Sequence, residues 1–149
     1  MKRHLADVNV LFALLWPRHE NHEAAHSWFS ATGGKAWATS ALTQLGVLRL
    51  LTNPLVTKDT VSAASALALV SKATGHSGHA FWVLDERAVV GLGSFATRVR
   101  GHQQWTDAAL LVQAVNHDGV LMTFDKGVKE LAKSTPGRVL LLEGHRATA

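Results

Sequence analysis

Three aspartates stand at positions where carboxylates can work together. Asp7 closes the short run His4-Leu5-Ala6, and Asp125 closes Gly119-Val120-Leu121-Met122-Thr123-Phe124. Both runs are apolar and end in a turn, and in an α/β sheet the loops leaving the carboxyl ends of strands are where ligands bind. Asp107 lies on a helical stretch. At 100° per residue it shares a broad side with Ala108, Leu111, Ala114 and Val115, while Gln113, Asn116 and His117 point away. That puts Asp107 in the first turn, on the face that packs on the sheet, where an unpaired charge is costly. Each aspartate also has a plainer use. Asp7 and Asp125 could cap the helices that follow them, and Asp107 could compensate a helix dipole, worth roughly 0.3–1 kcal/mol. The dipole explains the first turn but not the inward face. Three clustered carboxylates repel unless protons or cations neutralise them. Hard oxygen ligands in a chain without cysteine suit Mg²⁺ or Mn²⁺ better than zinc. Such an ion lowers the pKa of bound water and stabilises charge on a phosphoryl group.

The elements that must position these residues alternate short apolar runs with helical stretches, the pattern of an α/β fold with a mainly parallel sheet. Strands are expected at 3–6, 36–39, 79–84, 119–124 and 138–142. Helices are expected at about 8–16 (stopped by Pro17), 20–31 (ended by Gly33-Gly34) and 40–52 (capped by Ser40, stopped by Asn53-Pro54). Others are expected at 60–73, after Asp85, from a Thr106 cap to about Asp118, and after Lys126. Residues 91–101 read as a looser, basic stretch, and Asp118 before Gly119 as a turn. With no repeats, low-complexity tract or linker, the expectation is one domain over residues 1–149.

Composition narrows the class. Hydrophobic residues make up 47% of the chain and charged ones 17%, below the roughly 25% usual for globular proteins, which hints at self-association or a permanent partner. The net charge of +4 around an acidic pocket fits a polyanionic substrate held by the surface and a metal held by the site. The absence of cysteine excludes a disulfide framework and a thiolate zinc site, and is compatible with a reducing cytosol. The apolar segment Val10 to Trp16 is too short to span a membrane, so the N-terminus reads as the start of the mature domain.

His22-Glu23-Ala24-Ala25-His26 matches the H-E-x-x-H zinc-protease pattern. Ala24, Ala25, Trp28 and Phe29 form the apolar face of that helix, leaving His22, Glu23 and His26 on the solvated one, and Phe29 fills the glycine position of the extended motif. It is read as a solvated helix face. Arg98, Arg100 and His102 form a basic loop ahead of Asp107, and Lys126 adjoins Asp125. Cations there would hold a nucleic-acid backbone without reading its sequence. The five tryptophans read as core or interface residues, and Trp105, next to Asp107, is the one to test for stacking on a base.

The strings Leu5-Ala6-Asp7-Val8-Asn9-Val10-Leu11, Trp105-Thr106-Asp107-Ala108 and Thr123-Phe124-Asp125-Lys126-Gly127 resemble the PIN-domain signature. More narrowly, the chain resembles the VapC toxin ribonucleases. The stretches His22 to Phe29, Leu42 to Pro54 and Gly78 to Trp82 agree in order, so the similarity covers nearly the whole chain. The resemblance implies a three-layer αβα sandwich and a Mg²⁺- or Mn²⁺-dependent endoribonuclease. It also implies inhibition by a small antitoxin and a homodimeric assembly. It carries Asp7, Asp107 and Asp125 over as metal ligands, with Asn9 supporting the site by hydrogen bonding. Many PIN nucleases have a glutamate where this chain has Gln44, beside Val47, Leu48 and Leu51 on the core side of its helix. The amide removes one negative charge, so the expectation is one ion held well and a second held weakly. The alternative is a PIN-like module that binds RNA or its antitoxin without cutting, because Gln44 has weakened the site. A phospho-receiver domain would need an acceptor aspartate after a central mid-chain strand, and none is found there.

Overall fold

The computed structural model describes residues 1–144. Its framework is a five-stranded sheet of β1 (His4–Ala6), β2 (Trp37–Ser40), β3 (His79–Trp82), β4 (Val120–Thr123) and β5 (Val139–Leu141). The order is β3-β2-β1-β4-β5 and every pairing is parallel, so the sheet is wholly rather than mainly parallel. The helices are α1 (Val8–Leu15), α2 (His22–Ala31), α3 (Ala41–Leu51), α4 (Pro54–Thr57), α5 (Ala63–Thr74), α6 (Glu86–Val90), α7 (Gln104–Asn116) and α8 (Lys126–Leu131). None among the described residues is long and apolar enough to cross a membrane.

Strand alternation divides the core into two layers, because successive side chains point to opposite faces. Leu5, Ala38 and Leu121 face one way, against Ala108, Leu111 and Ala114 of α7 and Val128 and Leu131 of α8. Ala6, Trp37 and Met122 face the other way, against Val10 and Leu11 of α1, Val47 and Leu51 of α3, and Ala66 and Val70 of α5. A parallel sheet buried on both sides needs such near-continuous apolar strands. The close approach of α1 to α3 depends on Gly46, where a Cβ would stand 2.6 Å from a Val8 methyl. That contact fixes the helix carrying Asp7 at its start.

Several boundaries differ from those read in the sequence. Asn53 and Pro54 stop α3 but also start α4, with Asn53 Oδ1 accepting from the Leu55 amide at 3.0 Å. Helix α7 starts at Gln104, so Thr106 lies inside its first turn rather than capping it. The turn is held upstream, where the Arg100 amide donates to Gln104 Oε1 at 2.6 Å. Gln113 is buried rather than outward, its Nε2 donating to the carbonyls of Trp82 and Val83 at 3.3 Å. Val115, placed on the inward side, is 38% exposed. Helix α7 is covered both by the sheet and by the segment after α6, where Val112 packs on Gly91. Burial on two sides defeats a one-faced helical reading. Asp85 and Asp118 behave as expected: Asp85 accepts from the Arg87 amide as the α6 cap, and Asp118 adopts a left-handed turn conformation.

Candidate metal centre

The chain runs from β1 outward to β2 and β3, then returns to place β4 on the other side of β1. The crevice between the carboxyl ends of β1 and β4 is therefore the topological switch point of the sheet, the usual ligand site in such folds. Asp7 follows β1, Asp125 stands two residues beyond β4, and Asp107 is in the first turn of α7.

Asp7 is the best-held of the three. It caps α1, Oδ1 accepting from the Val10 amide at 2.8 Å, and its own amide donates to the Met122 carbonyl at 3.0 Å. Its Oδ2 accepts from the Thr123 hydroxyl at 2.5 Å. The same Thr123 oxygen accepts from the Asp125 amide at 3.0 Å, so one buried hydroxyl ties the two strand-end loops together. The sequence alone assigns Thr123 no role; its signal there is its place two residues before Asp125, at the end of a strand. Asp125 itself is exposed and caps α8, Oδ1 accepting from the Gly127 amide at 2.8 Å. Asp107 is half-buried, and no hydrogen bond among the described residues reaches its carboxylate.

The electrostatics link the three. Burial pushes Asp7 up to about 6 despite the stabilising bonds from Thr123 and the Val10 and Asn9 amides, and the Asp125 charge adds to the rise. Asp107 is raised to about 6 by burial first, then by the charges of Asp7 and Asp125. The Asp125 charge thus makes Asp7 harder to ionise, and the two together do the same to Asp107, the condition a bound cation relieves. Among the described residues, no three carboxylate or histidine side chains are already closed around a common point. The donor set still fits a hard divalent ion in its chemistry: all oxygen, electrostatically coupled, with Asp7 fixed and Asp107 and the outer oxygen of Asp125 uncommitted.

The supporting residues are more dispersed. Asn9 offers Asp7 its backbone amide, while its side chain is exposed. Gln44 is half-buried, its Nε2 donating to Thr39 Oγ1 at 2.9 Å, and that hydroxyl in turn meets His79 Nε2 at 2.8 Å. Arg98 and Arg100 line a cavity of about 420 Å³ with Gln104 and Gly127. Lys126 lines a separate one of about 320 Å³, with Glu20, Phe124 and Glu143. His102 and Arg49 are exposed. Trp105 is 46% exposed, whereas Trp37 and Trp82 are buried. In the H-E-x-x-H helix Glu23 and His26 are exposed as expected, while His22 is half-buried and bonds the Ala13 carbonyl through Nδ1 at 2.7 Å.

The comparisons bear on the family and the fold. The PIN domain family model matches residues 5–134. Ribonuclease VapC39 of Mycobacterium tuberculosis (strain ATCC 25618 / H37Rv) is 36% identical over 130 residues, spanning 87% of this chain and 94% of the relative. Ribonuclease VapC44 of the same strain is 37% identical over 131 residues, spanning 85% and 88%. Among solved structures, FitAB bound to an IR36 DNA fragment superposes with TM-score 0.62 at 19% identity, covering 96% of this chain and 99% of the other. VapBC2 from Rickettsia felis bound to a promoter DNA fragment gives 0.59 at 11%, covering 95% and 98%. With the PIN domain model matching residues 5–134 and VapC ribonucleases 36% and 37% identical to it over most of its length, the chain belongs to the PIN-domain family.

Proposed function

We propose that this chain is the toxin of a type II toxin–antitoxin pair, a cytoplasmic endoribonuclease that hydrolyses RNA phosphodiester bonds with Mg²⁺ or Mn²⁺. The observation that carries this reading is the electrostatic coupling of Asp7, Asp107 and Asp125 at the switch point. The VapC ribonucleases related over most of the chain support it. Asp7, Asp107 and Asp125 would hold the ion, which supplies positive charge to the scissile phosphate and acidifies water. Thr123 keeps Asp7 oriented and the Asp125 loop in register with it. Asp107, whose carboxylate takes no hydrogen bond among the described residues, is available to orient the attacking water or take its proton. Arg98, Arg100, His102 and Lys126 would attract the RNA backbone. Asn9 supports the centre through its backbone amide.

A small antitoxin and a second copy of the chain are the proposed protein partners. Exposed apolar side chains on two parts of the surface support both: Leu45, Leu55 and Leu67 on α3, α4 and α5, and Val83, Val89 and Val90 beyond β3. The test is cleavage of a defined tRNA by purified, antitoxin-free protein in Mn²⁺, in Mg²⁺ and in chelator, beside an Asp125→Asn control. Metal-dependent cleavage that the control loses is the expected result; cleavage that persists in chelator or in the control would sink the reading.

A further inference from the structure

The two residues after Asp125 line two different clefts, Lys126 one and Gly127 the other, and the linings differ in charge. On one side Lys126 stands with two carboxylates, Glu20 and Glu143. On the other, the cavity of about 420 Å³ collects Arg98, Arg100, Lys133 and the Gln104 amide around a single carboxylate, Glu130, over buried Leu131. Gln104 is set for donation. Its Oε1 is taken by the Arg100 amide at 2.6 Å, which leaves Nε2 facing Gly127. A Cβ on Gly127 would stand 3.6 Å from that nitrogen and 3.2 Å from Asp125 Oδ1, so the donor-rich cavity begins where the aspartate site ends. Lys133 lies past the end of α8 and is brought back by a turn in which its amide donates to the Glu130 carbonyl at 3.3 Å. Its ammonium pairs with Glu130 at 2.9 Å, and both groups are largely exposed. An exposed pair of this kind is held weakly and yields to a stronger anion.

We infer that this cavity holds an RNA backbone phosphate next to the scissile bond, with Lys133 and Gln104 as positioning residues, and that the strand leaves the site past α8 rather than through the Lys126 cleft. The inference rests on the ribonuclease reading. Three cations and an amide donor facing one space are a phosphate environment, and the cavity is of the size that takes a small ligand group. Glu130 acts against occupancy by competing for Lys133.

The experiment is fluorescence anisotropy with a labelled single-stranded RNA decamer in chelator, so that binding is read without cleavage, with thermal unfolding run on each variant. Lys133→Ala and Arg100→Ala should each weaken binding about fivefold and lower the salt slope by about one contact. Glu130→Gln should tighten it about twofold, a gain that misfolding cannot mimic. Lys129→Ala, exposed on α8 and outside the cavity, serves as control and should match wild type. The inference is overturned if wild type does not bind the decamer, or if Lys133→Ala and Glu130→Gln both match Lys129→Ala. It also fails if Lys126→Ala weakens binding more than Lys133→Ala. Metal-dependent tRNA cleavage by the same preparation separates the two readings. Cleavage with an indifferent Lys133 removes the cavity alone, whereas cavity-dependent binding without cleavage removes the nuclease and leaves a phosphate-binding pocket.

Discussion

Asp7 and Asp125 look alike in the sequence and differ in the fold. Each follows a strand and caps the next helix through one carboxylate oxygen. Asp7, however, is 5% exposed with its second oxygen bound by Thr123, while Asp125 is exposed with its second oxygen uncommitted. One is therefore a fixed post and the other an adjustable arm. The price of the fixed post is desolvation: burial is the first cause of Asp7's raised pKa. Stability is given up at Asp7 so that one ligand is preorganised, a common arrangement in sites that must present charge in a dry place.

The largest expected effects come from neutralising the two in turn. Asp7→Asn and Asp125→Asn should each reduce RNA cleavage by about 10²-fold or more, because each removes an anionic ligand. Their effects on stability should part. Asp7 is raised from 3.8 to about 6, so between those values the folded state binds more protons than the unfolded one. Stability therefore falls as pH rises through that window and stays low above it. An asparagine keeps an oxygen for the Val10 amide and has no charge to desolvate. In chelator, Asp7→Asn should be more stable than wild type by on the order of 2 kcal/mol above pH 6, with the difference vanishing below about pH 4. Asp125→Asn should show no such gain. Denaturant unfolding at pH 4 and pH 7.5 checks both, and a gain of similar size in Asp125→Asn would erase the distinction between post and arm.

Thr123→Val comes next, since it removes the link between the two loops while keeping the volume. Thr123 is fully buried, and losing its hydroxyl leaves Asp7 Oδ2 and the Asp125 amide without that partner. The expected cost is about 1–3 kcal/mol of stability and roughly 10–100-fold in activity, the usual range for a residue that orients a ligand. Because the Thr123 bond lowers Asp7's pKa, the acid limb of the pH–activity profile should move to higher pH. Thr123→Ser should restore most of both. A purely structural role would lower stability but leave the acid limb where it was.

These contrasts also mark what was legible in the sequence. Strand ends are local events, so Asp7 and Asp125 could be placed from the apolar runs that precede them. The parallel sheet followed from the alternation of short apolar runs with helical stretches. Thr123's role depends on β4 lying beside β1 across more than a hundred residues of chain, which no local pattern encodes. Gln113 was misplaced because α7 is buried on two sides, and a single periodicity assumes one. The cations were visible as types. Which of them line one cavity depends on the turn after α8 that returns Lys133.

The smallest expected effect concerns Gln44. Charge counting alone predicts that Gln44→Glu should markedly strengthen metal binding. The local hydrogen bonds argue for less. Gln44 donates to Thr39 Oγ1, which leaves that hydroxyl's proton for His79 Nε2, and the His79 ring also faces the Thr74 carbonyl. A relay running in that one direction suits the neutral ring, the form that burial favours. A carboxylate at position 44 would instead demand the Thr39 proton, so His79 would have to donate from Nε2, either giving up its bond to the Thr74 carbonyl or carrying a positive charge. Burial, and then the charge of Arg3, hold the His79 pKa below its usual value and oppose that change. Gln44→Glu should therefore cost about 1 kcal/mol in chelator and raise Mn²⁺ affinity only severalfold, by calorimetric titration. Adding His79→Gln should recover the stability, because an amide can reverse its donor. A rise in affinity of a hundredfold, with no loss of stability, would mean that the carboxylate swings free of Thr39 and joins the aspartates directly.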